Sequence, residues 1–191
     1  MAARIRLGRK GRRIAVVATT TVFMAGLALA PPAQTFGGSC NGHLSTVGYD
    51  ASHERGPVTI DASTWPGPGG VVIIGSRGND TIIGSPFDDF ICGGGGNDVI
   101  QTGDATNGDA AWGEWGRDTI TGGTGNDLID GGPGDDFIVG NDGEDRLFGG
   151  RGDDQINSND PGVFADSVKG GPGYNFCQVD SADDPEDCHY H

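Results

Sequence analysis

The chain has 191 residues, enough for one ordinary domain, and 37 of them are glycine. This much glycine excludes a packed helical bundle, because glycine is costly in helix interiors, and the absence of a Gly-X-Y period excludes collagen. Residues 1–33 carry six basic side chains and no acidic one, whereas the rest of the chain carries six basic and 27 acidic ones. Such an acidic surface repels nucleic acid and anionic membranes, and it favours a cation as the partner.

Residues 1–33 have the organisation of a secretory signal peptide. Six basic residues precede an apolar run from Ile14 to Ala30, and small residues continue to Ala33. A retained membrane anchor is the alternative, although the run is shorter than the roughly 20 apolar residues that a span needs. The pair Arg12-Arg13 also allows a twin-arginine signal, but its flanking residues fit poorly. We therefore predict a secreted, extracellular protein that keeps no membrane contact once the signal is cleaved.

Residues 34–74 have no period, and we predict that they form an N-terminal cap of irregular and β structure. Residues 58–60 and 71–74 are rich in β-branched side chains and are typical of strands. The Pro- and Gly-rich stretch at residues 65–69 is typical of a turn.

A nine-residue repeat follows from Gly75 onward. Eight regular copies begin at residues 75, 84, 93, 113, 122, 131, 140 and 149. All eight have Gly at position 1 and Asp at position 6, and position 8 is Ile in seven copies and Leu147 in the other. Glycines in the first four positions allow sharp turns, and the last three residues alternate as a short strand. The pattern therefore predicts that the residue at position 8 points inward.

Two longer units interrupt the period while keeping its pattern. Residues 102–112 are eleven long, with Asp109 in the place of position 6 and Ala111 in the place of the inward residue. Residues 158–169 are twelve long, and the equivalent residues are Asp166 and Val168.

Two tryptophans, Trp112 and Trp115, adjoin the first of these longer units. One interpretation is a small recognition patch on an otherwise polar coil. The other, which we favour, is that the tryptophans cover a disturbed edge of the core.

The chain has four cysteines, Cys40, Cys92, Cys177 and Cys188. In an oxidising compartment an even number predicts two disulfides, for which three pairings exist. The short loop between Cys177 and Cys188 makes these two the expected pair, which leaves Cys40 with Cys92 as a staple of the N-terminal cap. A cysteine metal site is a poorer interpretation, because the chain has no C-x-x-C motif.

The last unit, residues 170–178, departs from the pattern. Asn175 replaces the aspartate of position 6, and Cys177 replaces the inward aliphatic residue. A solenoid needs a terminal cap. We therefore expect the repeats to end here and residues 179–191 to form a C-terminal cap and tail.

The consensus G-G-x-G-x-D-x-U-x resembles the RTX, or haemolysin-type calcium-binding, nonapeptide repeat. The resemblance covers residues 75–178, and the C-terminal ending is similar to that of short secreted bacterial members. It implies an all-β fold, a right-handed parallel β-roll (a β-helix solenoid) with disulfide-stapled caps. It also implies that two nonapeptides make one turn of the coil, so that the position-6 aspartate of each repeat stacks on that of the next repeat but one.

Stacked carboxylates next to turn carbonyls predict a cation site made of oxygen ligands. Calcium suits such a flexible oxygen site, whereas magnesium requires tighter octahedral geometry. We therefore predict Ca²⁺ as the cofactor. The predicted metal ligands are Asp80, Asp89, Asp98, Asp109, Asp118, Asp127, Asp136, Asp145, Asp154 and Asp166. Each repeat buries only one aliphatic side chain, so calcium binding is expected to supply part of the folding free energy.

No catalytic motif accompanies the repeats. The chain lacks a G-x-S-x-G elbow, an H-E-x-x-H helix and a P-loop, and its four histidines lie outside the repeats. We predict a non-enzymatic, extracellular structural or surface-interaction module that binds calcium. One alternative is an adhesin-like binder of cell-wall glycan or protein that uses Trp112 and Trp115, and a weaker one is a small secreted enzyme. The sequence does not identify a macromolecular partner.

Overall fold

The computed structural model describes residues 48–52, 54–66, 69–158, 160 and 164–189. The predicted signal peptide and Cys40 lie outside these residues. The described part of the chain is all-β, with fifteen short strands in two parallel sheets. None of its segments is a helix long and apolar enough to cross a membrane.

Successive strands alternate between the two sheets. The eight-stranded sheet has the order β1-β3-β5-β7-β9-β11-β13-β15. Its strands are β1 (Gly48–Asp50), β3 (Val72–Ile74), β5 (Phe90–Gly95), β7 (Ala110–Trp115), β9 (Leu128–Pro133), β11 (Arg146–Arg151), β13 (Ser167–Lys169) and β15 (Asp184–Glu186). The seven-stranded sheet consists of β2 (Thr59–Asp61), β4 (Thr81–Ile83), β6 (Val99–Gln101), β8 (Thr119–Thr121), β10 (Phe137–Val139), β12 (Gln155–Asn157) and β14 (Phe176–Gln178). The chain is thus a parallel β-solenoid, as the repeat predicts.

The register of the strands follows the repeat length. Ile82 pairs with Ile100, the equivalent residue two repeats later, because two nine-residue units make one turn. Ile91 pairs with Ala111 and Leu147 pairs with Val168, so each of the two longer units lengthens its own turn of the solenoid without shifting the strands. The extra residues are accommodated between the strands, and the predicted register of both longer units is confirmed.

The core is a narrow column between the sheets that receives one side chain from each repeat strand. These side chains are 0 or 1 % exposed and come from Ile82, Ile91, Ile100, Ala111, Ile120, Ile129, Ile138, Leu147, Ile156 and Val168. In the three-residue repeat strands the two flanking residues point outward, so that only the central side chain is buried. The predicted inward position is therefore confirmed throughout the repeats.

The solenoid pairing extends to the N-terminal side of the repeats. β2 pairs with β4 and β3 pairs with β5, both in parallel register, so the strands expected at 58–60 and 71–74 are confirmed. In this first turn the residues equivalent to the position-6 aspartates are Val58 and Val71, which are 7 % and 1 % exposed. The first turn consequently has apolar side chains where later turns have carboxylates.

At the C-terminus a disulfide joins Cys177 and Cys188, with a Cα–Cα distance of 5.6 Å. This confirms the expected pair. Cys177 is the inward residue of β14, and His189 forms an isolated parallel bridge to Phe176 of the same strand. The disulfide thereby holds the last segment of chain against the final edge of the seven-stranded sheet. Cys92 is buried, and the expected Cys40–Cys92 pair involves a residue outside the described part.

Candidate metal centre

The position-6 aspartates form two ladders, one along each row of turns between the sheets. In both ladders the backbone N–H of one aspartate donates to Oδ1 of the equivalent aspartate one turn later. Asp118 donates to Asp136 at 2.8 Å, and Asp127 donates to Asp145 at the same distance. The longer units do not break the pattern, because Asp98 donates to Asp118 and Asp89 donates to Asp109. The predicted stacking of aspartates is confirmed.

All ten aspartates predicted as ligands are buried, and none is more than 4 % exposed. In seven of them Oδ2 lacks any hydrogen-bond partner among the described residues. They are Asp98, Asp109, Asp118, Asp136, Asp145, Asp154 and Asp166. A buried carboxylate oxygen without a donor is costly, because it loses its hydration and gains nothing in return. In their charged form these carboxylates are therefore poorly stabilised by the described residues.

Burial raises the pKa of these seven carboxyl groups far above the usual range for aspartate. The pKa rises to about 7 for Asp98, Asp109, Asp136 and Asp145, and to about 6 for Asp118, Asp154 and Asp166. Desolvation is the largest cause of each rise in pKa, and neighbouring carboxylates raise the pKa further. The backbone N–H that each Oδ1 accepts opposes the rise. The ion-free ladder thus favours neutral carboxyl groups, or a cation that would replace the proton.

Four of the unsatisfied Oδ2 atoms, those of Asp98, Asp118, Asp136 and Asp154, converge with a backbone carbonyl oxygen on a small cradle at position 1. A methyl carbon placed on Gly131 would lie 2.4 Å from Oδ2 of Asp136 and 2.6 Å from the carbonyl oxygen of Gly149 in the next turn. The same arrangement recurs at Gly113 and Gly149. Only glycine leaves this space open, and the two oxygens that converge on it are hard donors of the kind that calcium prefers.

The last unit shows what fills the space when no carboxylate is present. Asn175 occupies position 6, and its amide nitrogen donates to the carbonyl oxygen of Gly171 at 2.7 Å and to that of Asp187 at 3.3 Å. Gly171 is position 2 of the same turn, and Asp187 is the residue equivalent to position 1 in the next turn. A hydrogen-bond donor therefore lies where equivalent aspartates place an acceptor. In those repeats a cation can hold the carboxylate and the carbonyls together.

The ligands available at each turn are mainly backbone groups. Within the described residues no three side chains of His, Cys, Asp or Glu converge on a common point. A cation in the ladder would therefore take its carboxylate ligands singly from successive turns and complete its shell with turn carbonyls. The oxygens fit a hard cation that accepts many carbonyl ligands, as calcium does.

The backbone conformation at position 2 decides whether Oδ2 has a donor, and the repeat pattern does not reveal this role of position 2. Position 2 is left-handed in Gly94, Glu114, Gly132, Asn141 and Gly150, whose φ values lie between 68° and 107°. In all five of these repeats Oδ2 has no donor among the described residues. Ser76, Ser85 and Gly123 lie outside the left-handed region, and their N–H groups donate to Oδ2. Serine at position 2 signals this difference in two of the three repeats, whereas nothing in the sequence distinguishes Gly123 from the left-handed glycines.

The ladder that contains Asp127, Asp145 and Asp166 continues beyond the repeats to a residue that the repeat pattern did not predict. Oδ1 of Asp183 accepts the backbone N–H of Asp166 at 3.1 Å. Its Oδ2 accepts the hydroxyl of Ser158 and the backbone N–H of Asp180. Asp183 thus ends the ladder with both carboxylate oxygens satisfied.

The two tryptophans beside the first longer unit have different environments. Trp112 is 6 % exposed and packs against Phe90, with ring centroids 4.6 Å apart. Trp115 is the last residue of β7 and is 70 % exposed. Trp112 therefore covers the outer side of the eight-stranded sheet, and of the two only Trp115 presents its ring to solvent.

Comparison with known families identifies the repeat. The family model of the RTX calcium-binding nonapeptide repeat matches residues 72–107, 112–147 and 130–160. No curated protein and no solved structure matches the chain significantly.

Proposed function

Because the repeats of this chain belong to the RTX calcium-binding nonapeptide repeat family, we propose that the protein is an extracellular calcium-binding module whose solenoid folds when calcium binds. In this proposal the module is structural or mediates surface interactions, and it is not an enzyme. Calcium supplies positive charge between successive turns and is coordinated by their oxygen atoms. The chain supplies a rigid ladder of carboxylates and carbonyls on which the turns stack.

The proposal rests on the Oδ2 atoms that have no hydrogen-bond partner among the described residues. All seven are buried and belong to carboxyl groups whose pKa is raised by desolvation, so the ion-free ladder is poorly stabilised at neutral pH. In four repeats the Oδ2 atom also shares the space beside the position-1 glycine with a carbonyl oxygen of the next turn. The seven aspartates with such an atom would provide the side-chain ligands. Asp127 would join them, because Gly123 is a glycine and can adopt the left-handed conformation of the other repeats. Asp80 and Asp89 have donors on both oxygens, and their role as ligands stays a prediction.

The extracellular location is supported by three features. Residues 1–33 have the pattern of a secretory signal, the Cys177–Cys188 disulfide suits an oxidising compartment, and extracellular fluid offers abundant calcium. Extracellular calcium modules bind with dissociation constants as weak as about 10⁻⁴ to 10⁻³ M, and we expect an affinity in this range.

Calcium titration of ion-stripped protein tests the proposal. We expect the far-ultraviolet circular dichroism at about pH 7.5 to change from largely coil to β structure as calcium is added. Isothermal calorimetry on the same sample should give several bound ions per chain, and magnesium at the same concentration should have a much smaller effect. An ion-stripped sample with the spectrum and melting temperature of the calcium-loaded one would overturn the proposal.

The exposed ring of Trp115 favours a second function, binding to cell-wall glycan or to a protein surface. Aromatic rings that lie open to solvent are frequent anchors in such contacts. Replacement of Trp115 by alanine should abolish co-sedimentation with insoluble cell-wall glycan while the melting temperature in calcium stays unchanged. The matched control is Phe87→Ala, at another exposed aromatic residue of the turns. Equal sedimentation of both variants and the parent protein would exclude an adhesin function through this residue.

A further inference from the structure

The first two repeats differ from the others in how their aspartates are satisfied. Asp80 accepts the N–H of Val58 at 2.8 Å and the hydroxyl of Ser76 at 2.9 Å on Oδ1, and the N–H of Ser76 on Oδ2. Asp89 has the same three donors, which are the N–H of Val71 and the hydroxyl and N–H of Ser85. Both carboxylates therefore have donors on both oxygens without any ion.

The serines at position 2 hold these two turns in a different backbone conformation. Neither Ser76 nor Ser85 has a positive φ, and their N–H groups consequently point at the aspartate. A left-handed conformation at position 2 costs more for serine than for glycine, because Cβ crowds the backbone, although Glu114 and Asn141 adopt it in this chain. In the last unit the left-handed Gly171 directs its carbonyl oxygen toward position 6. The serines thus keep an N–H where other repeats have a potential calcium ligand.

The serine hydroxyls also fix the turns themselves. The hydroxyl of Ser76 also lies 3.0 Å from the carbonyl oxygen of Gly56, which shares its single proton with Asp80, and it accepts the N–H of Gly78 at 3.0 Å. The hydroxyl of Ser85 accepts the N–H of Phe87 at 3.3 Å. These contacts are made by a side chain that glycine lacks, so the two turns are stabilised by the chain itself.

The apolar part of the core is also larger at this end. Val58 and Val71 replace the buried carboxylates of later turns, and Tyr49 packs edge-on against Trp65 with ring centroids 6.3 Å apart. A turn with buried valines at these positions has no like-charge repulsion to overcome. Its stability therefore comes from apolar burial and from hydrogen bonds that do not involve an ion.

We propose that Ser76 and Ser85 replace calcium in the first two repeats, so that the N-terminal end of the solenoid is folded without calcium and templates the calcium-dependent turns that follow. The inference rests on the proposed calcium function and assigns its metal sites, because calcium would load from the repeat of Asp98 onward and not at Asp80 or Asp89. A folded end would present β4 and β5 as edges on which the next turn can pair. Solenoids fold by such nearest-neighbour propagation.

Hydrogen exchange of the full chain, followed by mass spectrometry with and without calcium, tests this asymmetry. After calcium is removed, we expect peptides that contain β2 to β5 to retain protected amides. Peptides that contain β9 to β12 should lose their protection and regain it when calcium alone is added back. Loss of protection in both regions would overturn this inference and leave the calcium function intact. Retained protection in both would overturn both proposals.

A serine-to-glycine variant tests the assignment of the metal sites directly. In Ser76→Gly/Ser85→Gly, position 2 can become left-handed and the hydroxyl donors are gone. We expect one additional calcium ion to bind for each serine replaced, measured by metal analysis after equilibrium dialysis. The matched control is Ser167→Gly, at an exposed residue of β13, and should leave the calcium content unchanged. A double variant that binds no more calcium than the parent protein would contradict the proposal.

Discussion

Calcium-free protein is expected to be most stable in mildly acidic solution and to lose stability as the pH rises toward about 8. The seven aspartates with an unsatisfied Oδ2 have pKa values of about 6 or 7 in the ion-free fold, among them Asp98, Asp136 and Asp145. In the unfolded chain their pKa values are about 4. The folded state therefore binds more protons than the unfolded chain within this window, and the free energy of unfolding falls as the pH rises through it.

The sign of the effect is opposite to the usual acid denaturation. Aspartates with lowered pKa values stabilise a fold at neutral pH, whereas these groups stabilise it fully only below about pH 4, and that stabilisation is lost as the pH passes about 6 to 7. Calcium should remove the loss, because it neutralises the carboxylates that would otherwise carry a proton. Thermal unfolding from about pH 5 to 8, with and without calcium, measures both effects. A calcium-free melting temperature that is highest at neutral pH would contradict this account.

A single substitution distinguishes the effect of protonation on stability from the effect of calcium binding. Asp136→Asn places an amide where Asn175 lies in the last unit, with a donor directed at turn carbonyls. We expect the variant to increase the β content of calcium-free protein at about pH 7.5, measured by far-ultraviolet circular dichroism, and to weaken calcium binding. Asp142→Asn is the matched control, because Asp142 is exposed and lies on the adjacent turn. Equal behaviour of the two variants would show that Asp136 is not part of the ladder's charge balance.

The second large effect concerns the centre of the core. Ile138 is fully buried and pairs with Ile120 on one side and Ile156 on the other. Ile138→Ala should lower the free energy of unfolding of the calcium-loaded protein by about 2–5 kcal/mol, because the removed atoms leave a cavity that parallel strands on both sides keep open. Calcium cannot compensate, since the cavity lies between the sheets and the carboxylates lie in the turns.

The control for this prediction is the preceding residue of the same strand. Phe137 points outward and is 42 % exposed, so Phe137→Ala removes a larger side chain with a smaller loss of burial. Urea denaturation in saturating calcium should show a clear loss for Ile138→Ala and little change for Phe137→Ala. Similar losses in both variants would mean that the outer face of the seven-stranded sheet contributes as much as the core.

Much of the solenoid follows from spacing alone. Asp109 with Ala111, and Asp166 with Val168, could be placed correctly within their longer units because a parallel sheet permits extra residues only in the turns. The start of the solenoid was harder to predict. Val58 and Val71 occupy the aspartate positions of an earlier turn, but neither carries the signature residue of the repeat.

The candidate site, like the solenoid, could be predicted only in part from the sequence. The ten aspartates could be listed from the sequence, because position 6 recurs in every unit. The sequence does not show which of their carboxylate oxygens accept a hydrogen bond. It also does not show that Trp112 is buried and Trp115 exposed, although both lie on the same strand. Burial of Trp112 depends on the packing of Phe90 from the neighbouring strand, which is distant in sequence.

The sequence by itself determined which side chains point inward and which aspartates stack, since every turn of a parallel solenoid repeats the same backbone pairing and a constant spacing preserves it. Only the tertiary structure decided which carboxylates have a donor on both oxygens and which have an Oδ2 without one. That outcome depends on the orientation of the peptide group at position 2 and on carbonyl oxygens of the following turn. Both are properties of the folded backbone rather than of the residue at position 6.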